Sequence, residues 1–386
     1  MLRYLTAGES HGPGLSAIVE GIPAGLHIQE EVFNEQLARR QTGFGRGGRM
    51  KIEQDRIEVH SGVRFGVTLG TPIALWIPNR DYVHWEDRMR PFGQPPEEVQ
   101  PVTRPRPGHA DLAGALKYGH RDLRNVLERA SARETAMRVA VGALARALLA
   151  AFGIQIAGRV LQIGSVRAPE DELTLEEMQE RSEASAVRCT DPDASEAMVE
   201  AIRQARLAGD TLGGRFEVVA FGVLPGLGSY AQWDRRLDGR LAQAMMSIQA
   251  IKAVEIGAGN AVAQLPGSQV HDPIFWEEGK GYLRPTNRAG GIEGGVSNGE
   301  KIVVRAAMKP IPTLNKPLQS VDMATHTPFL AQIERSDACS VPAASVVAEG
   351  VVAWELACAM VEKFGGDSIE QMQQSVAAFR REVADR

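Results

Sequence analysis

The sequence predicts a single α+β domain, in which strands and helices alternate along most of the chain. Runs rich in Val and Ile and bounded by Gly or Pro predict strands at 56–63, 71–79, 154–166, 214–224, 253–259 and 301–309. Runs with helical periodicity predict helices at 29–40, 110–119, 131–153, 238–254 and 342–365, and in the C-terminal tail. Three of these helices are apolar around much of their circumference, which predicts burial between layers.

The composition is that of an ordinary soluble globular protein. The chain has 386 residues, 44% hydrophobic and 24% charged, with a formal net charge of -5. Its most apolar stretches are interrupted by Arg146, Glu349 and Glu355, so no membrane span is predicted. The N-terminus lacks the pattern of a secretory signal, and three scattered cysteines make no disulfide framework. A cytoplasmic location is therefore expected.

Charge is distributed unevenly along the chain. Residues 170–200 carry eleven acidic residues against two arginines, a local charge of -9, so the remaining residues together carry +4. The segment also has the periodicity of amphipathic helices. The sequence thus predicts one domain, 1–386, that carries an acidic helical surface excursion at about 168–210.

A basic, glycine-rich loop, RRQTGFGRGGRMK at 39–51, contains five cations, four glycines and no acid. Glycines let a backbone approach a ligand closely, and guanidinium groups bind carboxylate or phosphate through two hydrogen bonds. The loop contains G-x-G-x-x-G, but a helix precedes it and a strand follows, the reverse of a dinucleotide fingerprint. One RGG element without aromatic neighbours does not indicate nucleic-acid binding. Two interpretations of the loop remain: it binds a small anion, or it is a basic turn that is only solvated.

Two histidines lie in loops framed by Gly and Pro, which favours a role in acid–base chemistry. His11 follows Ser10 in GESHGPG (8–14), and His109 follows Arg106 in TRPRPGHADL (103–112). There is no G-x-S-x-G for a serine hydrolase, and no H-E-x-x-H or C-x-x-C for a dedicated metal site.

A third group of residues suits anion binding at helix starts and in stiff loops. Ser131 and Glu134 match a capping box before a long apolar helix, and Ser131 to Arg133 would also present free N–H groups to an anion. Weaker candidates are GGIEGGVSNG (290–299), KPIPT (309–313) and RSDACSVPAA (335–344). Together the residues predict an enzyme for a small polyanionic ligand, with two acid–base histidines and an aspartate, and leave the reaction open.

Three separated blocks, at 8–23, 128–144 and 335–352, resemble the signatures of the chorismate synthase family, and the stretches 39–53 and 103–112 match between them. The resemblance spans nearly the whole chain; Ala338 departs from it slightly, and 168–210 resembles the family least. It implies a β-α-β sandwich, with two antiparallel sheets packed around buried helices, and usually a homotetramer.

The same resemblance implies a reaction. The family carries out an anti-1,4-elimination, in which 5-enolpyruvylshikimate 3-phosphate loses phosphate and a C6 hydrogen to give chorismate, an intermediate of aromatic amino acid biosynthesis. Reduced FMN is required although no net redox change occurs. NADPH is expected only as an indirect reductant, and a separate flavin reductase could supply the reduced cofactor.

The resemblance also implies roles for individual residues. His11 would protonate the departing phosphate, His109 would support the reduced flavin near its N1 and O2 edge, and Asp337 would work with flavin N5 in taking up the C6 hydrogen. The implied substrate-binding residues are Ser10, Arg40, Arg46, Arg49, Arg106, Ser131, Arg133 and Arg335. The implied FMN-binding residues are Ser131, Ala132, Arg133, Gln249, Ala250, Gly294, Lys309, Pro310, Ile311, Pro312, Thr313 and Arg335.

Two other functions compete with this one. The same scaffold could reduce flavin with NADPH, or it could bind phosphoanions without catalysis. Neither nucleic acid nor a membrane is expected as a partner.

Overall fold

The structure is a computed structural model that describes residues 1–47, 54–334 and 336–385. Two of the predicted site residues, Arg49 and Arg335, lie outside the described residues. The helices are α1 (Glu30–Gln41), α2 (Glu86–Met89), α3 (Asp111–Tyr118), α4 (Arg124–Ala130), α5 (Thr135–Ala150), α6 (Leu175–Ala184), α7 (Pro192–Leu207), α8 (Leu237–Met246), α9 (Gly267–Val270), α10 (Val341–Phe364) and α11 (Ile369–Ala384).

The strands are β1 (Arg3–Ala7), β2 (Gly14–Glu20), β3 (Glu58–Val59), β4 (Val63–Arg64), β5 (Val67–Thr68), β6 (Ile73–Pro78), β7 (Gln155–Ile163), β8 (Val166–Arg167), β9 (Gly214–Phe221), β10 (Ile251–Ile256), β11 (Phe275–Glu277), β12 (Gly281–Leu283), β13 (Ile292–Glu293), β14 (Val296–Ser297), β15 (Ile302–Met308), β16 (Gln319–Val321) and β17 (Pro328–Leu330). They form two larger antiparallel sheets, with strand orders β1-β2-β6-β3 and β10-β15-β9-β7-β8, and several small hairpins. The α+β class is confirmed.

Two long helices, α5 and α10, form the centre of the core. They pack against each other, α5 contacts β2 of the first sheet, and α10 contacts β7 and β9 of the second. Their closest approach is at Gly142 and Gly350, where a Cβ added to Gly142 would lie 2.3 Å from the Cα of Gly350. Only glycine allows this crossing, because any side chain would push the two helices apart.

Helix α10 is the one helix of the described residues that is long and apolar enough, by length and composition, to cross a bilayer. However, 89% of its most apolar window is buried inside the protein, as in a core helix. It also carries Glu349, which is fully buried and pairs with Arg39, Arg146 and Arg188.

One predicted helix is wrong over its second half. The helix predicted at 238–254 ends at Met246, and Ile251–Ile256 is strand β10 instead. The chain reverses at Ala250, whose φ of 68° lies in the left-handed region, and β10 then pairs with β15. Strand pairing here outweighs the helical periodicity of the local sequence.

The acidic segment at 168–210 contains helices α6 and α7, and each of them has a buried side. Met198 and Ile202 of α7 are fully buried in the main core, and Met178 of α6 packs against Val219 of the second sheet. The acidic residues face solvent, while the apolar stripe of each helix covers the sheet. The end of α7 reaches a large cavity, which Arg206 helps to line.

Candidate active site

A cavity of about 670 Å³ collects most of the residues predicted for the site. The predicted residues that line it are Ser10, His11, Arg40, Arg46, Arg106, His109, Ser131, Ala132, Arg133, Gln249, Ala250, Lys309, Ile311, Pro312, Thr313 and Asp337. Loops that are far apart in sequence, from residue 10 to residue 347, thus meet at one place. The size is within the range of pockets that hold cofactors and substrates.

Of the predicted site residues that the structure describes, Pro310 and Gly294 do not line this cavity. Pro310 lies between lining residues, while Gly294 lies in the turn between β13 and β14. That hairpin packs on the start of α8, where Leu237 N donates to Gly295 O at 2.9 Å. The structure therefore does not bring Gly294 together with the other predicted FMN-binding residues.

Cations outnumber carboxylates on the cavity wall. Among the described residues, the cationic side chains that line it are those of Arg40, Arg46, Arg106, Arg133, Arg206 and Lys309. The carboxylates that line it are those of Asp210, Glu334 and Asp337. Six cations against three carboxylates leave a formal excess of +3 among the lining residues, before any contribution from histidine and from the carboxylates of Asp55, Asp111 and Glu128, which lie directly behind the wall. A cavity with this excess attracts a ligand that carries several negative charges.

Each of the two histidines contacts a buried carboxylate that the sequence analysis did not select. His109 Nδ1 lies 2.5 Å from Asp111 Oδ1, and His11 Nδ1 lies 2.9 Å from Glu128 Oε1. Asp111 and Glu128 are 1% and 2% exposed. A signal was available for Asp111, two residues after His109, but Glu128 is 117 positions from His11, and a helical glutamate has no sequence feature that links it to a distant histidine.

The loop at 105–109 is organised around Asp111, the first residue of α3. Arg106 donates to this carboxylate through its backbone N–H and through Nε, at 3.1 and 2.9 Å. Burial would raise the pKa of Asp111, but the hydrogen bonds from His109 and Arg106 and the charge of Arg106 outweigh it and hold the pKa well below its usual range. Asp111 is thus an ionised acceptor that positions both Arg106 and His109.

The described part of the basic loop is held against the loop that carries Asp337. Arg46 Nη1 donates to Asp337 Oδ2 at 2.6 Å, and Gly47 N donates to Asp337 Oδ1 at 2.6 Å. Ser340 Oγ donates to Asp337 Oδ2 at 2.7 Å, and Ala338 N donates to Gly45 O at 2.8 Å. Asp337 therefore connects two ligand-facing loops and accepts hydrogen bonds at both oxygens.

Arg40 and Arg133 are both buried, and both lie near Asp55, another residue that the sequence did not single out. Arg133 Nη1 donates to Asp55 Oδ2 at 2.6 Å, and Arg40 Nη1 lies 3.8 Å from the same oxygen. Arg40 Nε also donates to Thr135 Oγ1 at 3.0 Å. These contacts hold two guanidinium groups side by side at the start of α5.

The predicted capping box does not form. Ser131 Oγ accepts from Arg133 N at 3.3 Å, so Ser131 does cap the 3-10 turn Ala132–Glu134 that leads into α5. The Glu134 side chain instead contacts Arg138 and accepts from Gln249 Nε2 at 2.8 Å. An ion pair one turn along the helix has replaced the reciprocal capping bond, and Gln249 is positioned as a result.

Arg206, at the end of α7, is a cavity residue that the sequence analysis placed on the surface. Past Arg206, Thr211 Oγ1 donates to Ile311 O at 2.7 Å, and Leu212 N donates to Ala338 O at 2.9 Å. The chain after α7 thus runs between the loops at 309–313 and 336–340. No ion pair of Arg206 occurs among the described residues.

A metal site was not expected from the sequence. Within residues 1–47, 54–334 and 336–385, no group of three or more His, Cys, Asp or Glu side chains could hold a metal ion.

Comparison with known proteins gives consistent results. The family model described as chorismate synthase matches residues 2–361. A chorismate synthase of Brevibacillus brevis is 60% identical over 381 residues, covering 98% of both chains, and one of Geobacter sulfurreducens is 59% identical over 386 residues, again covering 98% of both. A solved structure described as a crystal structure of chorismate synthase has a TM-score of 0.81 and 46% identity, and the match covers 100% of this chain and 99% of that one.

Proposed function

The chain belongs to the chorismate synthase family and is a carbon–oxygen lyase, and from that premise we propose that the 670 Å³ cavity is its active site. The reaction is the elimination of phosphate and a C6 hydrogen from 5-enolpyruvylshikimate 3-phosphate, which yields chorismate. One observation supports this site most strongly. Two histidines, each against a buried carboxylate, share one cavity with an excess of cationic side chains.

The cations fit the charge of the substrate. 5-Enolpyruvylshikimate 3-phosphate carries two carboxylates and a phosphate, which repel one another when they are brought close together. At about 4 Å, each pair of opposite charges is worth roughly 4 kcal/mol at an effective dielectric constant near 20. Arg40, Arg46, Arg106 and Arg133 are proposed to supply this compensation. The structure does not describe Arg49 and Arg335, and their substrate-binding roles stay proposals from the family resemblance.

The cavity also fits reduced FMN. We propose that Ser131 to Arg133, Gln249, Ala250, Lys309 and Ile311 to Thr313 hold it, since all of them line the cavity. Gln249 Oε1 is buried and, among the described residues, has no hydrogen-bond partner, so it offers an acceptor to a ligand N–H. When bound, reduced FMN supplies the electron density that allows a poorly acidic hydrogen and a phosphate to leave without net redox change.

The chain's own residues then perform three tasks. His11 donates a proton to the phosphate as its C–O bond breaks, and the bonding electrons leave with the phosphate. Asp337 takes up the C6 hydrogen as a proton, directly or as a relay, while the new ring double bond forms. His109, positioned by Asp111, donates a hydrogen bond to the cofactor. Because Asp337 pairs with Arg46 here, Arg46 must transfer part of its hydrogen bonding to the bound anion before Asp337 can accept a proton.

Replacing Arg46 by alanine should weaken ligand binding more than turnover. A hydrogen bond to a charged group contributes about 1.5–3 kcal/mol, which corresponds to a loss of affinity of about 10- to 100-fold. Arg46→Lys is the matched control and should retain part of the affinity, because it keeps the charge but loses the planar fork. Titration with the substrate measures both. An unchanged substrate affinity in Arg46→Ala would mean that the basic loop is only a solvated turn and does not bind the ligand.

Arg206→Gln should weaken binding of the phosphate-bearing ligands by about 2- to 5-fold, the range expected for one exposed charge, and the loss should shrink at high salt. Arg203→Gln is the control, since Arg203 lies one turn earlier on α7, pairs with Glu200 and does not line the cavity. Equal ligand affinities of the two variants over a range of salt concentrations would show that Arg206 does not contribute to ligand binding.

One anaerobic assay separates the proposed function from its two competitors. The protein is supplied with substrate and chemically reduced FMN, and phosphate and chorismate are both measured. Equal release of the two products supports the lyase. NADPH consumption without a chemical reductant would indicate a flavin reductase on the same scaffold, and binding without turnover would indicate a phosphoanion-binding module.

Three finer proposals rest on the family resemblance. The first is a homotetramer, and the aromatic side chains Trp276 and Tyr282, paired across the β11–β12 hairpin and each 60% exposed, offer a surface for a second copy of the chain. The second is the β-α-β sandwich, supported by the packing of α5 on β2 and of α10 on β7 and β9. The third is a cytoplasmic location with reductant delivered by a separate flavin reductase.

A further inference from the structure

Glu128 is bonded to two successive residues of the loop that carries His11. Its carboxylate accepts from the His11 backbone N–H at 2.8 Å and lies 2.9 and 3.0 Å from His11 Nδ1. Its own backbone carbonyl accepts from Ser10 N at 3.1 Å. On the other side of the loop, Asn79 Nδ2 donates to the carbonyls of Ser10 and Gly12. The backbone around His11 is therefore fixed from two directions.

The charge state of Glu128 determines which nitrogen of His11 carries a hydrogen. Burial would raise the pKa of Glu128, but the hydrogen bonds and charge of His11, with a hydrogen bond from Arg124, outweigh it and lower the pKa. An ionised carboxylate can only accept hydrogen bonds, so Nδ1 must be the donor. Nε2 is then the ring nitrogen that does not contact Glu128, and it is the atom able to exchange a proton with a ligand in the cavity.

Trp85 covers one face of the His11 ring. The two ring centroids are 3.9 Å apart and the planes are inclined by 30°. The indole is held in turn, because Trp85 Nε1 donates to the buried Asp81 at 3.2 Å. Arg124 lies over the Trp85 ring at 5.2 Å and donates to Glu128 at 3.2 Å, which links the two supports of the imidazole.

We propose that Glu128 and Trp85 are positioning residues for His11. Glu128 keeps a proton on Nδ1, so that the doubly protonated ring donates its Nε2 proton and the neutral ring left afterwards is the Nδ1–H tautomer. Trp85 fixes the ring plane and excludes water from one face. The proposal rests on the proposed function in assigning the proton donor to His11. It goes further in saying which atom of His11 delivers the proton and which neighbours make that atom available.

A double-mutant cycle tests whether Glu128 acts through His11. Glu128→Gln keeps the shape and one acceptor oxygen but removes the charge, and we expect it to lower kcat by about 10- to 100-fold, with KM changed by less than about threefold. In a His11→Ala background the same substitution should cost less than about twofold, because its only route of action is gone. A loss of equal size in both backgrounds would overturn the proposal and make Glu128 a structural residue.

Two controls isolate the effect. Glu58→Gln removes an exposed carboxylate that lies 3.1 Å from His60 Nε2, outside the cavity, and should leave kcat unchanged. Arg124→Gln removes a hydrogen bond to Glu128 and the cation over Trp85, and it should give a smaller loss than Glu128→Gln, since the contact between Glu128 and His11 remains. If Arg124→Gln reproduced the full loss of Glu128→Gln, the contact with His11 would not be the source of the effect.

A measurement independent of activity identifies the tautomer itself. NMR of the full protein labelled with ¹⁵N-histidine, assigned by difference from His11→Ala and recorded at a pH high enough to remove the Nε2 proton, should show neutral His11 with its remaining proton on Nδ1, and a larger share of the Nε2–H tautomer in Glu128→Gln. A wild-type spectrum with the proton on Nε2 would overturn the inference even if His11→Ala is inactive. If His11 turned out not to be the proton donor, the NMR spectrum would still report its tautomer. Failure of the proposed catalytic role and failure of the tautomer inference can therefore be told apart.

Trp85 is tested by rescue. Trp85→Leu should lower kcat several-fold, and Trp85→Phe should restore most of it, because an aromatic face is again available to stack on the ring. In the His11→Ala background neither substitution should matter. Equal activity of the Leu and Phe variants would remove Trp85 from the proposal.

Discussion

His11→Ala is expected to lower turnover by about 10²- to 10⁴-fold at saturating reduced FMN, the range over which a positioned acid accelerates a reaction. The departing phosphate would then have to leave without a proton from the chain, while the arginines that bind it remain in place. The apparent substrate affinity should therefore change much less than turnover. Anaerobic formation of chorismate in single-turnover and steady-state assays measures the effect.

His60→Ala serves as the control for this substitution. His60 is exposed and lies outside the cavity, so its loss should leave turnover unchanged. An unchanged circular dichroism spectrum of His11→Ala would show that the fold is intact. Near-normal turnover of His11→Ala would mean that another group, or water, protonates the phosphate.

The second large effect is expected at the centre of the core. Glu349→Ala leaves Arg39, Arg146 and Arg188 without their shared carboxylate, and removing one partner of a buried ionic cluster costs about 3–5 kcal/mol of unfolding free energy. Glu362→Gln, on the same helix, is the control. Glu362 pairs with Arg240 near the surface, so its loss should cost less than about 1 kcal/mol.

Urea unfolding at a fixed protein concentration measures both variants. Similar unfolding free energies for the two would show that the cluster around Glu349 contributes no more than a surface pair. We also expect Glu349→Ala to weaken ligand binding, because Arg39 precedes Arg40 and anchors the end of α1 to the core.

The pH dependence of stability follows from the same cluster. Burial by itself would raise the pKa of Glu349, but attraction from Arg39, Arg188 and Arg146 outweighs it and lowers the pKa from 4.5 to about 2. Since the folded-state pKa is the lower one, this stabilisation is complete above about pH 4.5 and is lost as the pH falls towards 2. A shift of this size corresponds to roughly 3 kcal/mol, and this component should be missing from the acid titration of Glu349→Ala.

The sequence predicted which residues share the cavity better than it predicted the contacts that hold them there. His11, His109 and Asp337 stand in short loops whose Gly and Pro residues are visible locally, and all three line the cavity. The contacts of Glu128 with His11 and of Glu349 with Arg39 were not predicted. The partners in these contacts lie 117 and 310 positions apart, and no local pattern relates residues at such separations.

The error in the helix predicted at 238–254 has a physical cause as well. The helix predicted at 238–254 has helical periodicity throughout, but a left-handed Ala250 and pairing with β15 turn its second half into an edge strand. The surface excursion at 168–210 was predicted from acidic charge together with amphipathic periodicity. The acidic charge describes only the solvent-facing side of these amphipathic helices. The buried side of α7 anchors the chain that follows it, and this chain runs between the loops at 309–313 and 336–340.

A crystal structure of the protein with FMN and 5-enolpyruvylshikimate 3-phosphate tests the central claim most directly. The account predicts that both ligands occupy the single cavity, with the substrate phosphate within hydrogen-bonding distance of His11 Nε2 and cationic side chains around the substrate's carboxylates. Ligands bound elsewhere on the molecule, with His11 and His109 contacting neither of them, would contradict it.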